Sequence, residues 1–86
     1  MAQVEVSITK TAEILRASID NVRLVFNGNR ATKNVPEGPH VLSWTVIGNP
    51  GTAYTIRITK PSGIGCSGGA TLGNDGIDHG ACRFII

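Results

Sequence analysis

The chain has 86 residues, a mass of 9.0 kDa and a formal net charge of +2. That length predicts one domain over residues 1–86, with a modest core. Hydrophobic content of 41 % with so little net charge excludes a disordered chain, and no apolar run reaches the ~18 residues a membrane span needs.

The first predicted element is a strand over residues 3–9. Val4, Val6 and Ile8 alternate with Gln3, Glu5, Ser7 and Thr9, the signature of a half-buried strand. Residues 11–19 carry two patterns. Thr11 could cap a short helix, but two isolated turns are marginal, and the strand reading puts Leu15, Ala17 and Ile19 inward. The strand is preferred. Asp20-Asn21 then supplies a turn.

Val22–Phe26 reads as a strand with Val22, Leu24 and Phe26 on the core face. Asn27-Gly28 is a strong short-hairpin signal, after which residues 29–33 are expected to pair back briefly. Pro36 and Pro39 interrupt the pattern. Val41–Ile47 is the clearest core strand, with Leu42, Trp44 and Val46 sharing a face. Asn49-Pro50-Gly51-Thr52 fits a type II turn, because proline presets φ and glycine accepts a positive φ. Residues 53–59 follow with Tyr54, Ile56 and Ile58 inward. The two strands are expected to form a hairpin.

Seven of the eleven glycines lie between residues 63 and 80. This stretch reads as a loose excursion containing a strand fragment at Ala70-Thr71-Leu72 and a Gly73–Gly76 turn. A last strand covers residues 81–86. Six to eight short strands separated by turn residues predict an all-β antiparallel sandwich.

The segment from Pro36 to Val46, with its proline/glycine turn and a strand carrying an inward Trp44, resembles bacterial immunoglobulin-like modules. Gly48-Asn49-Pro50-Gly51-Thr52-Ala53-Tyr54 continues the resemblance, which covers about residues 36–60. It is a fold-level pattern with no specific motif. Both cysteines follow Trp44, so the usual Cys…Trp…Cys order is absent. The resemblance implies adhesion, carbohydrate contact or a spacer role, and it carries over no binding residue.

Cys66 and Cys82 are the only cysteines, and an even pair in a small glycine-rich chain predicts a disulfide. The bridge implies a periplasmic, secreted or cell-surface location. Met1-Ala2-Gln3 leads directly into the first strand, with no signal-peptide pattern.

The chemistry-bearing motifs are weak. Gly63-Ile64-Gly65-Cys66-Ser67-Gly68 matches G-x-G-x-x-G, but the glycines that follow cannot open the helix a dinucleotide site needs. Cys66, His79 and Cys82 offer zinc-type donors, with Asp75 and Asp78 nearby. A disulfide would exclude that site. Asn74–Asp78 contains part of a calcium loop, yet it has too few carboxylates and reads as an Asp-Gly turn. His40 opens the Trp44 strand and reads as a surface residue bordering a binding surface.

The expected function is a non-catalytic, monomeric interaction or structural module that takes no cofactor. Its expected partner is a protein or polysaccharide, with no nucleic acid. His40, Asp75, Asp78 and His79 are the candidate binding residues. The alternatives are a carbohydrate-binding module, whose sign would be an exposed aromatic plane at Trp44 or Tyr54, and a metal protein built on Cys66, His79 and Cys82.

Overall fold

The computed structural model describes residues 2–10 and 14–86. Eight strands are formed: β1 (Ala2–Lys10), β2 (Ile14–Ile19), β3 (Val22–Arg23), β4 (Arg30–Val35), β5 (Pro39–Ile47), β6 (Ala53–Lys60), β7 (Ser67–Thr71) and β8 (Ile77–Ile85). They make two four-stranded antiparallel sheets, ordered β4-β1-β6-β7 and β3-β2-β5-β8. The fold is thus the expected all-β sandwich. Among the described residues no helix is long and apolar enough to cross a membrane.

The period-2 patterns explain the core. Val4, Val6 and Ile8 of β1 and Tyr54, Ile56 and Ile58 of β6 are buried from the first sheet. Ala17, Ile19, Leu42, Trp44, Val46 and Phe84 meet them from the second. Residues 14–19 are strand, with Ala17 and Ile19 buried and Leu15 half-buried. The helix reading also rested on Thr11–Glu13, which lie outside the described residues.

Three expectations need correction. First, β5 and β6 form no hairpin, since they belong to different sheets. The turn itself is as expected: Gly51 has φ +87° and the Thr52 N–H donates to the Asn49 carbonyl at 3.1 Å. A type II turn splays its flanking strands, however, whereas hairpins need the primed turns. The chain therefore crosses the sandwich here. A two-residue hairpin does form at Asp20-Asn21, where φ values of +51° and +67° are those of a type I′ turn and Ile19 pairs with Val22.

Second, the strand after that turn is only Val22–Arg23. Val22 is exposed, because β3 is an edge with too little chain beside it to cover its inner side. Leu24 and Phe26 still pack on the core from an irregular segment. Asn27-Gly28 closes on one bridge, Asn27 to Arg30, and hands the chain to the other sheet. There residues 30–35 form a full strand along β1.

Third, the glycine-rich stretch is ordered into sheet structure. β7 pairs with β6, and β8 pairs with β5 over nine residues. Its glycines have a specific use at Trp44. The indole lies against Gly80, its cross-strand partner, and against Gly68 of the opposite sheet. A Cβ at either position would overlap the ring.

Cys66 and Cys82 form a disulfide with a Cα–Cα distance of 5.7 Å. That separation suits a disulfide. The bond ties the chain just before β7 to β8, and so joins the two sheets.

Candidate functional site

Two polar clusters and two grooves organise the chemistry. The first cluster sits where β2, the loop before β5 and the chain end converge. His40 precedes Leu42, Trp44 and Val46 by even steps, so its side chain points inward and is buried. This corrects the surface reading, and the alternation was the signal that could have found it. The Nδ1 of His40 lies 2.5 Å from Asp20 Oδ2, and its Nε2 lies 2.7 Å from the Pro36 carbonyl oxygen. A carbonyl only accepts, and so does an ionised carboxylate, so both ring nitrogens donate and the ring is an imidazolium. No local pattern marks Asp20 as its partner, because the two are 20 positions apart. The turn at Asp20-Asn21 places the carboxylate, and its other oxygen accepts the Val41 N–H at 2.9 Å.

The Asp20 hydrogen bond, helped by the Pro36 carbonyl, raises the pKa of His40 above its ordinary 6.5. The same bond, helped by the Val41 N–H, holds Asp20 below its ordinary 3.8. The unfolded chain has neither effect. The His40 contribution is complete below pH about 6.5 and is lost as pH rises through the raised folded value. The Asp20 contribution is complete above pH about 3.8 and is lost as pH falls through the lowered one. Thermal melts should therefore show this stabilisation at full strength between roughly pH 4 and 6.5, fading on the alkaline side. A His40→Gln variant should lack that alkaline decline. An identical pH profile in the variant would show that the pair is not its source.

The second cluster crosses the sandwich. Tyr54 Oη accepts from Trp44 Nε1 at 2.9 Å and donates to Asp78 Oδ2. Burial, then the Asp78 contact, raises the tyrosine pKa. This chain of bonds joins β6 of one sheet to β5 and β8 of the other. Tyr54→Phe should cost about 1–3 kcal/mol, because it orphans a buried indole N–H and removes a carboxylate's donor. Urea denaturation measures this.

The expected binding residues are not brought together. His40 is opposite Phe84, whereas His79 is opposite Thr45, five residues further along β5 and roughly 17 Å away. Asp78 faces the interior. His79 points outward, with Nδ1 3.1 Å from Thr45 Oγ1. Asp75 is an exposed turn residue whose Oδ1 accepts the Ile77 N–H. Gly76, at φ +66°, completes that turn as the Asp-Gly reading expected. Both sulfurs are consumed in the disulfide and His79 projects from the other side of its sheet. The proposed Cys66, His79 and Cys82 ligand set is therefore not assembled. Among the described residues no group of three His, Cys, Asp or Glu side chains converges on a metal-sized point.

Comparison of the chain with family models, with curated proteins and with solved structures found no match.

A groove of about 530 Å³ opens at the His40 end of the second sheet. Val41, Arg83 and Ile85 line it from the outer face, and Asp20, His40 and Phe84 also border it. The Phe84 ring centre is 5.4 Å from that of His40. Val41 and Ile85 are 38 % and 73 % exposed, so the groove has an apolar rim beside a guanidinium. A second, more polar groove of about 450 Å³ lies on the first sheet and includes Ser7, Thr9, Thr55, Arg57 and Ser67.

Proposed function

We propose that this chain is a non-catalytic interaction module that works outside the cytoplasm and docks a protein through the His40-end groove. One observation carries the reading: exposed Val41 and Ile85 flank exposed Arg83 on the outer face of β5 and β8. The buried centres of protein interfaces are more apolar than the rest of the surface, and arginine is enriched in them. The bonding of His40 favours binding over catalysis. Both His40 nitrogens are committed, one to a carboxylate and one to a carbonyl, so the ring has no nitrogen left to serve as a general base.

The disulfide supports an oxidising compartment: periplasm, cell surface or secreted space. The two-sheet architecture supports an immunoglobulin-like module at the level of layers. The order of strands differs from the immunoglobulin domain, whose first two strands share a sheet; here β1 and β2 do not. Trp44 and Tyr54 are buried, which removes the aromatic plane that sugar stacking would need.

The test is an interaction pair. Immobilised chain and a Val41→Asp/Arg83→Glu variant are exposed to an envelope fraction of the native cells. The expected result is a saturable protein partner held by the first and lost at least tenfold by the second, with equal melting temperatures. Equal retention by both would overturn the docking surface.

A further inference from the structure

We propose a second binding site, on the outer face of the first sheet, for an anionic sugar residue within a glycan chain. The strand register builds it. Ser7 of β1 pairs with Arg30 of β4 on one side and with Arg57 of β6 on the other, and Arg57 pairs with Ser67 of β7. Arg30, Ser7, Arg57 and Ser67 therefore occupy one rung across all four strands. Each points outward, because its sequence neighbours Ala31, Val6 and Ile8, and Ile56 and Ile58 fill the core, and Cys66 beside Ser67 is buried. The two arginines are roughly 10 Å apart at the backbone, two strand spacings. The next rung sets Thr9 beside Thr55 and Gly69.

The charge on this rung is available. Glu5 is the outward carboxylate of β1, and it is engaged: Oε1 accepts from Thr59 Oγ1 at 2.8 Å, and Oε2 lies 3.9 Å from Lys60 Nζ. Among the described residues neither Arg30 nor Arg57 forms an ion pair. Gly69, the outward partner of Thr55 on β7, carries no side chain, which leaves the outer face beside Arg57 open.

The lining selects the ligand class. Guanidinium groups favour carboxylate, sulfate or phosphate through paired charge-assisted bonds. The hydroxyls of Ser7, Thr9, Thr55 and Ser67 both donate and accept, as sugar hydroxyls do. A chain of acidic side chains would use the arginines and accept from those hydroxyls, but its ionised side chains offer them no donor. A neutral glycan would lack any aromatic ring to stack on. A glycan bearing carboxylate or sulfate uses both parts of the lining.

Calorimetric titration tests this with four probes: hexagalacturonate, a chondroitin sulfate hexasaccharide, cellohexaose and a hexaglutamate peptide. The expected result is binding of at least one acidic oligosaccharide, with the neutral sugar and the peptide at least tenfold weaker. Which acidic oligosaccharide binds tells carboxylate from sulfate. Arg57→Ala and Arg30→Ala should each weaken binding about tenfold, as expected for loss of one charge-assisted contact. Arg83→Ala, on the other sheet, should change it less than twofold. All three arginines are exposed, so melting temperatures should stay unchanged and report intact folds. The site is overturned if neither acidic oligosaccharide binds, if hexaglutamate binds as tightly, or if Arg83→Ala weakens binding as much as Arg57→Ala. Because this site and the docking groove lie on opposite sheets, failure of one leaves the other standing.

Discussion

Gly80→Ala is expected to destabilise the chain by about 2–4 kcal/mol, a large part of the stability of so small a domain. A methyl group there would overlap the six-membered ring of Trp44 and come within 2.7 Å of its Nε1. The indole cannot retreat cheaply. Its other contact is Gly68, where a Cβ would also overlap, and its N–H is held by Tyr54. Relief would break that bond or part the sheets, and each route has a cost. Trp44 is the single tryptophan, so its fluorescence reports the site directly. Gly68→Ala should behave similarly. Gly73→Ala should be mild, because the nearest atom to its Cβ is Asp75 Oδ1 at 3.8 Å. Trimming the ring in a Trp44→Leu/Gly80→Ala double variant should recover part of the loss. A urea midpoint for Gly80→Ala equal to that of the parent would sink the packing argument.

Removing the disulfide should cost about 3 kcal/mol in the chain-entropy model for a closed loop of this length. The bridge spans 16 positions, including five glycines at 68, 69, 73, 76 and 80. Glycine widens the unfolded ensemble, so cross-linking this loop removes more disorder than an average sequence would allow. For a domain of this size the loss corresponds to a drop of roughly 12–24 °C in Tm. Calorimetry of a Cys66→Ala/Cys82→Ala variant measures it. Hydrogen exchange should rise first in β7 and β8, which the bridge holds together. A double variant that melts with the parent would mean that the sheets are held without the bridge.

What could be read from the sequence follows from the range of the interactions involved. Alternation is local, so the buried sets of β1, β5 and β6 were legible residue by residue. Turn chemistry is also local, and Pro50-Gly51 specifies its turn from two neighbouring residues. Sheet membership is not local. Whether β5 turns back on itself or crosses to the other layer depends on which partners, such as β2 and β8, compete for its edges. The sequence of the turn alone does not show that competition. The candidate site was less legible still. His40 falls in phase with the core positions of its strand, but its partner Asp20 lies 20 positions earlier and reaches it only in the folded chain. The Arg30–Ser7–Arg57–Ser67 rung depends on three pairings distant in sequence. Each of its residues looks like ordinary solvated surface when read alone.

The crossing connections have a kinetic consequence. Only β2–β3 and β6–β7 are chain neighbours that share a sheet; the other five connections pass between layers. Those two hairpins can form early on local contacts. Every other pairing must first close a long loop, with little enthalpy gained until both layers meet. Such a chain belongs with the slow folders, on the millisecond-to-second scale. During that interval the edges of β2 and β6 lack the partners that later cover them. The molecule is therefore most exposed to intermolecular strand pairing before it is native, so yield on refolding should fall with protein concentration more steeply than native stability alone suggests.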